Sequence, residues 1–325
     1  MKIKFKMFIK KWLLKHPEIY HILYYLYVFI FHHSAIEHVV NKANTPQKYY
    51  IIRPRTNGIE GLMSIFNYIM QRVDYAYKQN LIPVVDMKNY YTQYYIDNKN
   101  SWELFFSQPS SATLDMAYNN YCIISGEKLV SEVDTNLFSK AVFFNKDLCK
   151  YCYSLVQKYV SFSEDIKNSL NTELKKVDVS KCIGIYMRGT DYTKMKPPGE
   201  PIQPSQEMVI EKVIEFKNKY QCHDLFLVTE DYDNYQKMVE KFGNEVHIAS
   251  FDHFIKDYSG DDFLSKTDCL DEDVYQRGKE YLLKILMLSK CKYFISSITQ
   301  GSISAYLING GKFFAEYIFE LGTYE

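Results

Sequence analysis

The feature that most constrains this chain is an alternation of short apolar runs with helical stretches, played twice. Tyr49-Tyr50-Ile51-Ile52 leads into the glycine-bearing loop Arg53-Pro54-Arg55-Thr56-Asn57-Gly58-Ile59-Glu60-Gly61. From Leu62 to Gln79, apolar residues recur at helical spacing (Leu62, Ile65, Phe66, Ile69, Val73, Ala76, Tyr77), and Ile82-Pro83-Val84-Val85-Asp86 follows as a short strand. Strand, loop, helix, strand is a βαβ unit, which implies a parallel sheet. The loop does not end in Gly-Lys-Ser/Thr and so is no P-loop. Residues 147–174 read mostly as helix.

A second series starts near Val177. Strands are expected at Ile183 to Met187, Asp224 to Thr229, Val246 to Ala249 and Tyr293 to Ser296. Helices are expected at Ser205 to Tyr220 with Ser205 as N-cap, at Tyr232 to Phe242 closed by Gly243, at Gly278 to Ser289 and at Ser302 to Leu307. Twofold alternation of this kind predicts an α/β protein of two Rossmann-like halves with a cleft between them. A length of 325 residues accommodates two domains. The expected division is a basic, aromatic helical segment at 1–45, a first Rossmann-like domain at 46–176 and a second at 177–325.

Net charge is zero, with 47% apolar and 24% charged residues, so nothing global points to nucleic acid as a partner. The charge is uneven, however: residues 1–45 hold seven lysines against Glu18 and Glu37. The uncharged stretch from Ile19 to Phe31 has 13 residues, too few to span a bilayer. An interfacial helix fits it, with peripheral membrane contact through residues 1–33 on the inner face; a helix docked on protein is the alternative. Seven scattered cysteines fit reduced thiols in a cytoplasmic setting, and the lone pair Cys149–Cys152 reads as helix-packed rather than zinc-binding.

Ligands of open parallel sheets bind beyond the carboxyl ends of the strands. Three strand ends in the second half carry polar residues: Arg188-Gly189-Thr190-Asp191, Thr229-Glu230-Asp231 and Ser297-Ile298-Thr299-Gln300-Gly301-Ser302. The last precedes a helix, whose N-terminus suits a phosphate. An arginine there would grip a pyrophosphate through paired hydrogen bonds, while Glu230 and Asp231 could accept from a ribose or a base. Each feature also has a local reading: Arg188 paired with Asp191, Thr229-Glu230-Asp231 as a helix cap, the hydroxyl run as a polar turn.

Ile185-Tyr186-Met187-Arg188-Gly189-Thr190-Asp191 resembles the His-x-Arg-Arg-x-Asp or His-x-Arg-x-Thr-Asp motif of the fucosyltransferase superfamily that includes the α-1,2, α-1,6 and protein O-linked enzymes. Val228-Thr229-Glu230-Asp231 resembles its second block, and Leu288 through Leu307 its third. Gly58-Ile59-Glu60-Gly61-Leu62 is similar to the opening glycine loop. Tyr186 stands where histidine is usual, and Gly189 where many members have a second arginine.

The resemblance spans roughly residues 48–310. It implies a GT-B glycosyltransferase of two facing Rossmann-like domains, inverting and metal-independent, without a cofactor. The donor would be a nucleotide sugar, preferentially GDP-fucose, and the acceptor a glycan of surface polysaccharide or related synthesis. By the same resemblance Arg188 would hold the donor pyrophosphate, Asp231 the nucleoside, and Thr299, Gly301 and Ser302 the surroundings of the phosphates. Thr190, Thr229, Glu230, Ser297 and Gln300 complete the expected donor site. Displacement of a nucleoside diphosphate also needs a carboxylate to take the acceptor proton, for which Asp191, Glu200 and Glu60 are candidates.

Three other readings stay open. Asp231-Tyr232-Asp233 and Asp271-Glu272-Asp273 are DxD triplets, the element by which a metal-dependent transferase holds its cation. The missing histidine and second arginine would suit a non-catalytic nucleotide- or sugar-binding subunit of a polysaccharide assembly complex. A membrane-surface structural protein is the third.

Overall fold

The computed structural model describes residues 16, 18–19, 22–23, 26, 30, 36–56, 58–127, 132–256, 258–260, 262–264 and 273–325. Most of the expected N-terminal helix, and Asp271 and Glu272 of the second DxD, lie outside these residues. Ile19, Ile22, Leu23, Leu26 and Ile30 are helical and exposed.

The first unit is built on a four-stranded sheet, β1 (His38–Asn41), β2 (Lys48–Ile52), β3 (Ile82–Val85) and β4 (Tyr121–Ile124), in the order β1-β4-β2-β3. β2 runs parallel to both neighbours, whereas β1 is antiparallel to β4. Register sets Ile51 opposite Val84 and Ile124, so one face buries Tyr49, Ile51, Val84, Cys122 and Ile124 with Ala112 and Ala117. Helix α1 (Leu62–Lys78) packs on β2 and β3. Its apolar residues at helical spacing, Leu62, Ile65, Phe66, Ile69, Val73 and Ala76, are all buried. The helix stops where Asn80 turns to φ 54, and Leu81 N–H returns to Ala76 O at 2.8 Å. Short helices α2 (Ser101–Phe105) and α3 (Leu114–Tyr118) link β3 to β4.

The second unit carries α4 (Lys146–Tyr159) in part, then α5 (Glu164–Leu174), β5 (Ile183–Tyr186), α6 (Thr190–Met195), α7 (Gln206–Tyr220), β6 (Leu225–Val228), α8 (Tyr232–Phe242), β7 (Val246–His247), α9 (Val274–Leu288), β8 (Tyr293–Ser297), α10 (Gln300–Asn309) and β9 (Ala315–Phe319). Its five strands are all parallel, in the order β7-β6-β5-β8-β9. β5 is central. Ile183 faces Leu225 and Tyr293, and Ile185 faces Leu227 and Ile295; these join Val209, Val213, Phe216 and Met238 in one buried cluster. Burying a side chain such as Ile185 contributes about 1.5–3 kcal/mol. Ser205 accepts from Met208 N–H, as an N-cap should, and Gly243 closes α8 at φ 58.

The compact units do not divide at 176/177. One comprises 1–139 with 154–163, the other 140–153 with 164–325. The reason is packing: α5 lies on α9, with Asp165 Oδ2 2.6 Å from Lys279 Nζ, and Phe143 meets Tyr306 with ring centroids 5.0 Å apart. Six elements among the described residues also exceed the sequence expectation: β1, β4, β9, α2, α3 and α6. All are short, and β1 and β9 lie at sheet edges, where half-exposed residues blur the apolar signal. Cys149 and Cys152 are buried on α4 and in no disulfide, and burial, with Glu316 adding, pushes Cys149 up to about 11.

Candidate functional site

Winding reverses between β5 and β8: the chain goes outward through β6 and β7, then crosses back to lay β8 on the other side of β5. Such a switch point is where doubly wound sheets open for ligands. β5 delivers Arg188 there, two residues past its end, with the side chain 22% exposed. Arg188 Nη2 donates to Asp191 Oδ1 at 2.8 Å, Nη1 lies 3.3 Å from Glu230 Oε1, and the guanidinium carbon is 5.0 Å from the Tyr192 ring centre. Burial works against the charge, but Glu230 and Asp191 outweigh it and hold the guanidinium protonated well above the ordinary arginine range.

The acids after β6 close on the same turn. Glu230 Oε1 also accepts from Gly189 N–H (2.9 Å) and from the Thr190 hydroxyl (3.0 Å). Asp231 Oδ2 accepts from Thr190 N–H at 3.0 Å, while its Oδ1 caps α8 by accepting from Asp233 and Asn234 N–H. Residue 189 has to be glycine for this approach, because a Cβ would sit 2.4 Å from Asp231. Thr190 is left at φ 44, a left-handed conformation costly for a β-branched residue. Asp191 is itself spent: Oδ1 takes Tyr192 N–H as well as Arg188, and Oδ2 takes Leu264 N–H at 3.2 Å.

On the β8 side the helix start is fully dressed. Thr299 Oγ1 accepts from Ser302 N–H and Ser302 Oγ accepts from Thr299 N–H, a reciprocal capping box on α10. Ser302, buried, donates to Ser297 O, and the Ser297 hydroxyl donates to Gln203 Oε1. Tyr186 and Tyr281 hydroxyls lie 3.4 Å apart beneath the first turn, and a Cβ on Gly301 would stand 2.5 Å from Tyr281 and 2.9 Å from Tyr186. Burial, partly offset by Arg188, pushes Tyr186 above the usual phenol range. Tyr186 is thus packed under a helix N-terminus.

Arg188, Thr190, Asp191, Glu230 and Asp231 form one network, and Tyr186 links it to the turn of Thr299 and Gly301. Gln300 is exposed at that turn. The hydroxyls of Thr229, Ser297 and Ser302 are buried; Thr229 Oγ1 accepts from Asp231 N–H. Glu200 is half-buried in the loop before α7, and its charge, after burial, helps to raise Tyr192. Of the DxD at 231–233, Asp231 has both carboxylate oxygens on backbone N–H groups; Asp273 caps α9. Among the described residues no three His, Cys, Asp or Glu groups come together as a metal site. Tyr192, Gln203 and Tyr281 belong to the site without having been anticipated. Tyr192 adjoins the Arg188 turn in sequence and could have been found; Gln203 and Tyr281 meet it only in space.

The first unit has its own reversal, between β2 and β4. Arg53, 7% exposed, donates to Glu127 Oε2 at 2.9 Å and lies 4.4 Å from the Tyr90 ring centre. Arg55 Nε is 2.7 Å from Glu60 Oε1, so this candidate base is ion-paired. Tyr68 is flanked by Arg55 at 4.6 Å and Arg72 at 3.4 Å, and burial pushes its phenol up to about 12.

A search of protein-family models and of curated proteins finds no match. Solved structures do overlap this fold. An α-1,6-fucosyltransferase, NodZ, soaked with GDP-fucose aligns with TM-score 0.48 and 13% identity over 81% of this chain and 93% of its own. NodZ from Bradyrhizobium gives TM-score 0.48, 13% identity, 81% and 94% coverage. POFUT1 in complex with GDP-fucose gives TM-score 0.48 and 8% identity over 86% and 99%.

Proposed function

We propose that this chain is an inverting, metal-independent glycosyltransferase of GT-B type that moves fucose from GDP-fucose to a glycan acceptor in surface polysaccharide or related synthesis. The observation that carries the reading is Arg188, a partly exposed guanidinium at the switch point of the second sheet, fixed by two carboxylates. An oriented fork there can take up the charge of a departing diphosphate, as preorganised donors do in low-dielectric sites. The N-terminus of α10 on the neighbouring strand adds backbone dipoles of the same sign.

Asp191 accepts from Arg188, Tyr192 and Leu264, which argues against its serving as the base. Glu60 is ion-paired with Arg55, which leaves Glu200 as the favoured candidate. The occupation of both Asp231 oxygens argues against the metal-dependent reading. Exposed Ile19, Ile22, Leu23, Leu26 and Ile30, at helical spacing beside a lysine-rich start, support contact with an anionic membrane face on the cytoplasmic side. No helix among the described residues is long and apolar enough to cross a membrane.

A thermal-shift panel of GDP-, UDP- and CMP-sugars tests the donor. Stabilisation by GDP compounds alone is expected; a response to UDP compounds alone overturns the donor assignment. Transfer that EDTA abolishes and manganese restores would overturn metal independence.

A further inference from the structure

We infer that Glu230 is a positioning residue that aims Arg188. The inference rests on the proposed function for its consequence, but its geometry stands alone. A single oxygen, Glu230 Oε1, gathers Gly189 N–H at 2.9 Å, the Thr190 hydroxyl at 3.0 Å and Arg188 Nη1 at 3.3 Å. That oxygen is committed to three donors of the one turn that carries Arg188, which is what a positioning group does.

The residue is itself anchored. Ile255 N–H donates to Glu230 O at 2.9 Å and Tyr232 N–H to Ile255 O at 3.1 Å, so the backbone on either side of Asp231 is stitched to a neighbouring segment. Glu230 is half-buried. Its neighbour Asp231 pins the other amide of the turn, Thr190 N–H, and the approach is close enough to exclude any side chain at 189. The two acids together hold Thr190 in its unfavourable left-handed conformation. That conformation starts α6 immediately after Arg188 and so fixes where the arginine leaves the strand. Glu230 therefore acts on the diphosphate through Arg188.

The test is a double-mutant cycle on GDP binding, read by NMR titration or calorimetry, with melting temperatures confirming the fold of each variant. Glu230→Ala is expected to weaken GDP about tenfold in the wild-type background, since one charge-assisted contact and the aim of a second are lost. In an Arg188→Ala background the same change is expected to matter less than about twofold, because the group it serves is gone. Glu230→Gln, which keeps an acceptor for Gly189 and Thr190 but not the charge facing the guanidinium, should fall between. Equal weakening in both backgrounds overturns the inference, because Glu230 would then touch the ligand itself. Amide hydrogen exchange without nucleotide is the independent arm: Gly189 N–H should exchange faster in Glu230→Ala than in wild type, and unchanged exchange overturns the clamp. If wild type binds no GDP, the donor assignment fails, and the exchange arm alone then decides the inference.

Discussion

The two winding reversals of this molecule both present arginine to acid, and they do so differently. Between β2 and β4, Arg53 is buried against Glu127 and Tyr90, and Arg72 is buried against Tyr68 and donates to Gly126 O. Burial pulls Arg72 below the ordinary arginine range. These guanidiniums are packed as much by rings as by charges and hold loop and helix together. Between β5 and β8, Arg188 keeps 22% of its side chain exposed, and two acids raise rather than neutralise its readiness to stay charged. The helix starts differ the other way: α1 begins on Gly61 with no side-chain cap, whereas at α10 a reciprocal Thr299–Ser302 box already occupies the terminal N–H groups. Arg53 and Arg72 thus serve cohesion, whereas Arg188, like Arg55 at 37% in the first unit, keeps a cation open to solvent.

Substitution can break that contrast. Arg188→Ala should lower kcat/KM by at least about 10³-fold, a loss of transition-state charge stabilisation that exceeds whatever fall in melting temperature follows from leaving Asp191, 6% exposed, without its cation. A variant that melts early with its specific activity intact would assign Arg188 to cohesion instead. Arg53→Ala should act on stability: it removes the cation facing Glu127, whose side chain is 9% exposed and keeps only Thr56 as partner among the described residues, and should cost about 3–5 kcal/mol in urea unfolding. An unchanged unfolding midpoint would remove the distinction between the two sites.

Smaller effects sharpen it. Gly301→Ala puts a Cβ 2.5 Å from the Tyr281 hydroxyl and should destabilise by about 1–3 kcal/mol, with partial rescue by Tyr281→Phe in thermal melts. Without rescue, the close approach is not what demands glycine there. Glu173 tests the assignment of α5 to the second unit. Burial opposes its charge, yet Lys176 at 2.7 Å and Ser250, through N–H and hydroxyl, outweigh it and hold the carboxyl below the usual glutamate range. A depressed folded value means that the unfolded chain binds the proton more readily. Its contribution is therefore complete above an unfolded value of about 4.3 and is lost as pH falls through the lower folded one. Glu173→Gln should lower stability at neutral pH by about 1–3 kcal/mol and flatten that acid limb; an unaltered limb would sink the assignment.

The regular elements were legible because their causes are local. The 3.6-residue spacing from Leu62 to Ala76 and the apolar runs of β5, β6 and β8 need no partner to be recognised. Arg188 was legible as a charge ending such a run. The antiparallel β1 was not, since four residues with three exposed carry no pattern, and neither was the membership of α5, which depends on Asp165 meeting Lys279 across 114 residues.

The sequence by itself determined an α/β chain, the strands β2, β3, β5, β6, β7 and β8 in their order along the polypeptide, and which strand ends carry charge and hydroxyls. Only the tertiary structure decided which of those groups are spent. Hydroxyls of Thr299 and Ser302 turn inward as caps, and Glu230 joins Gly189 across 41 residues. Local propensity acts between neighbours in sequence. Whether a polar side chain is left for a ligand depends on every donor and acceptor that folding brings within about 3 Å of it.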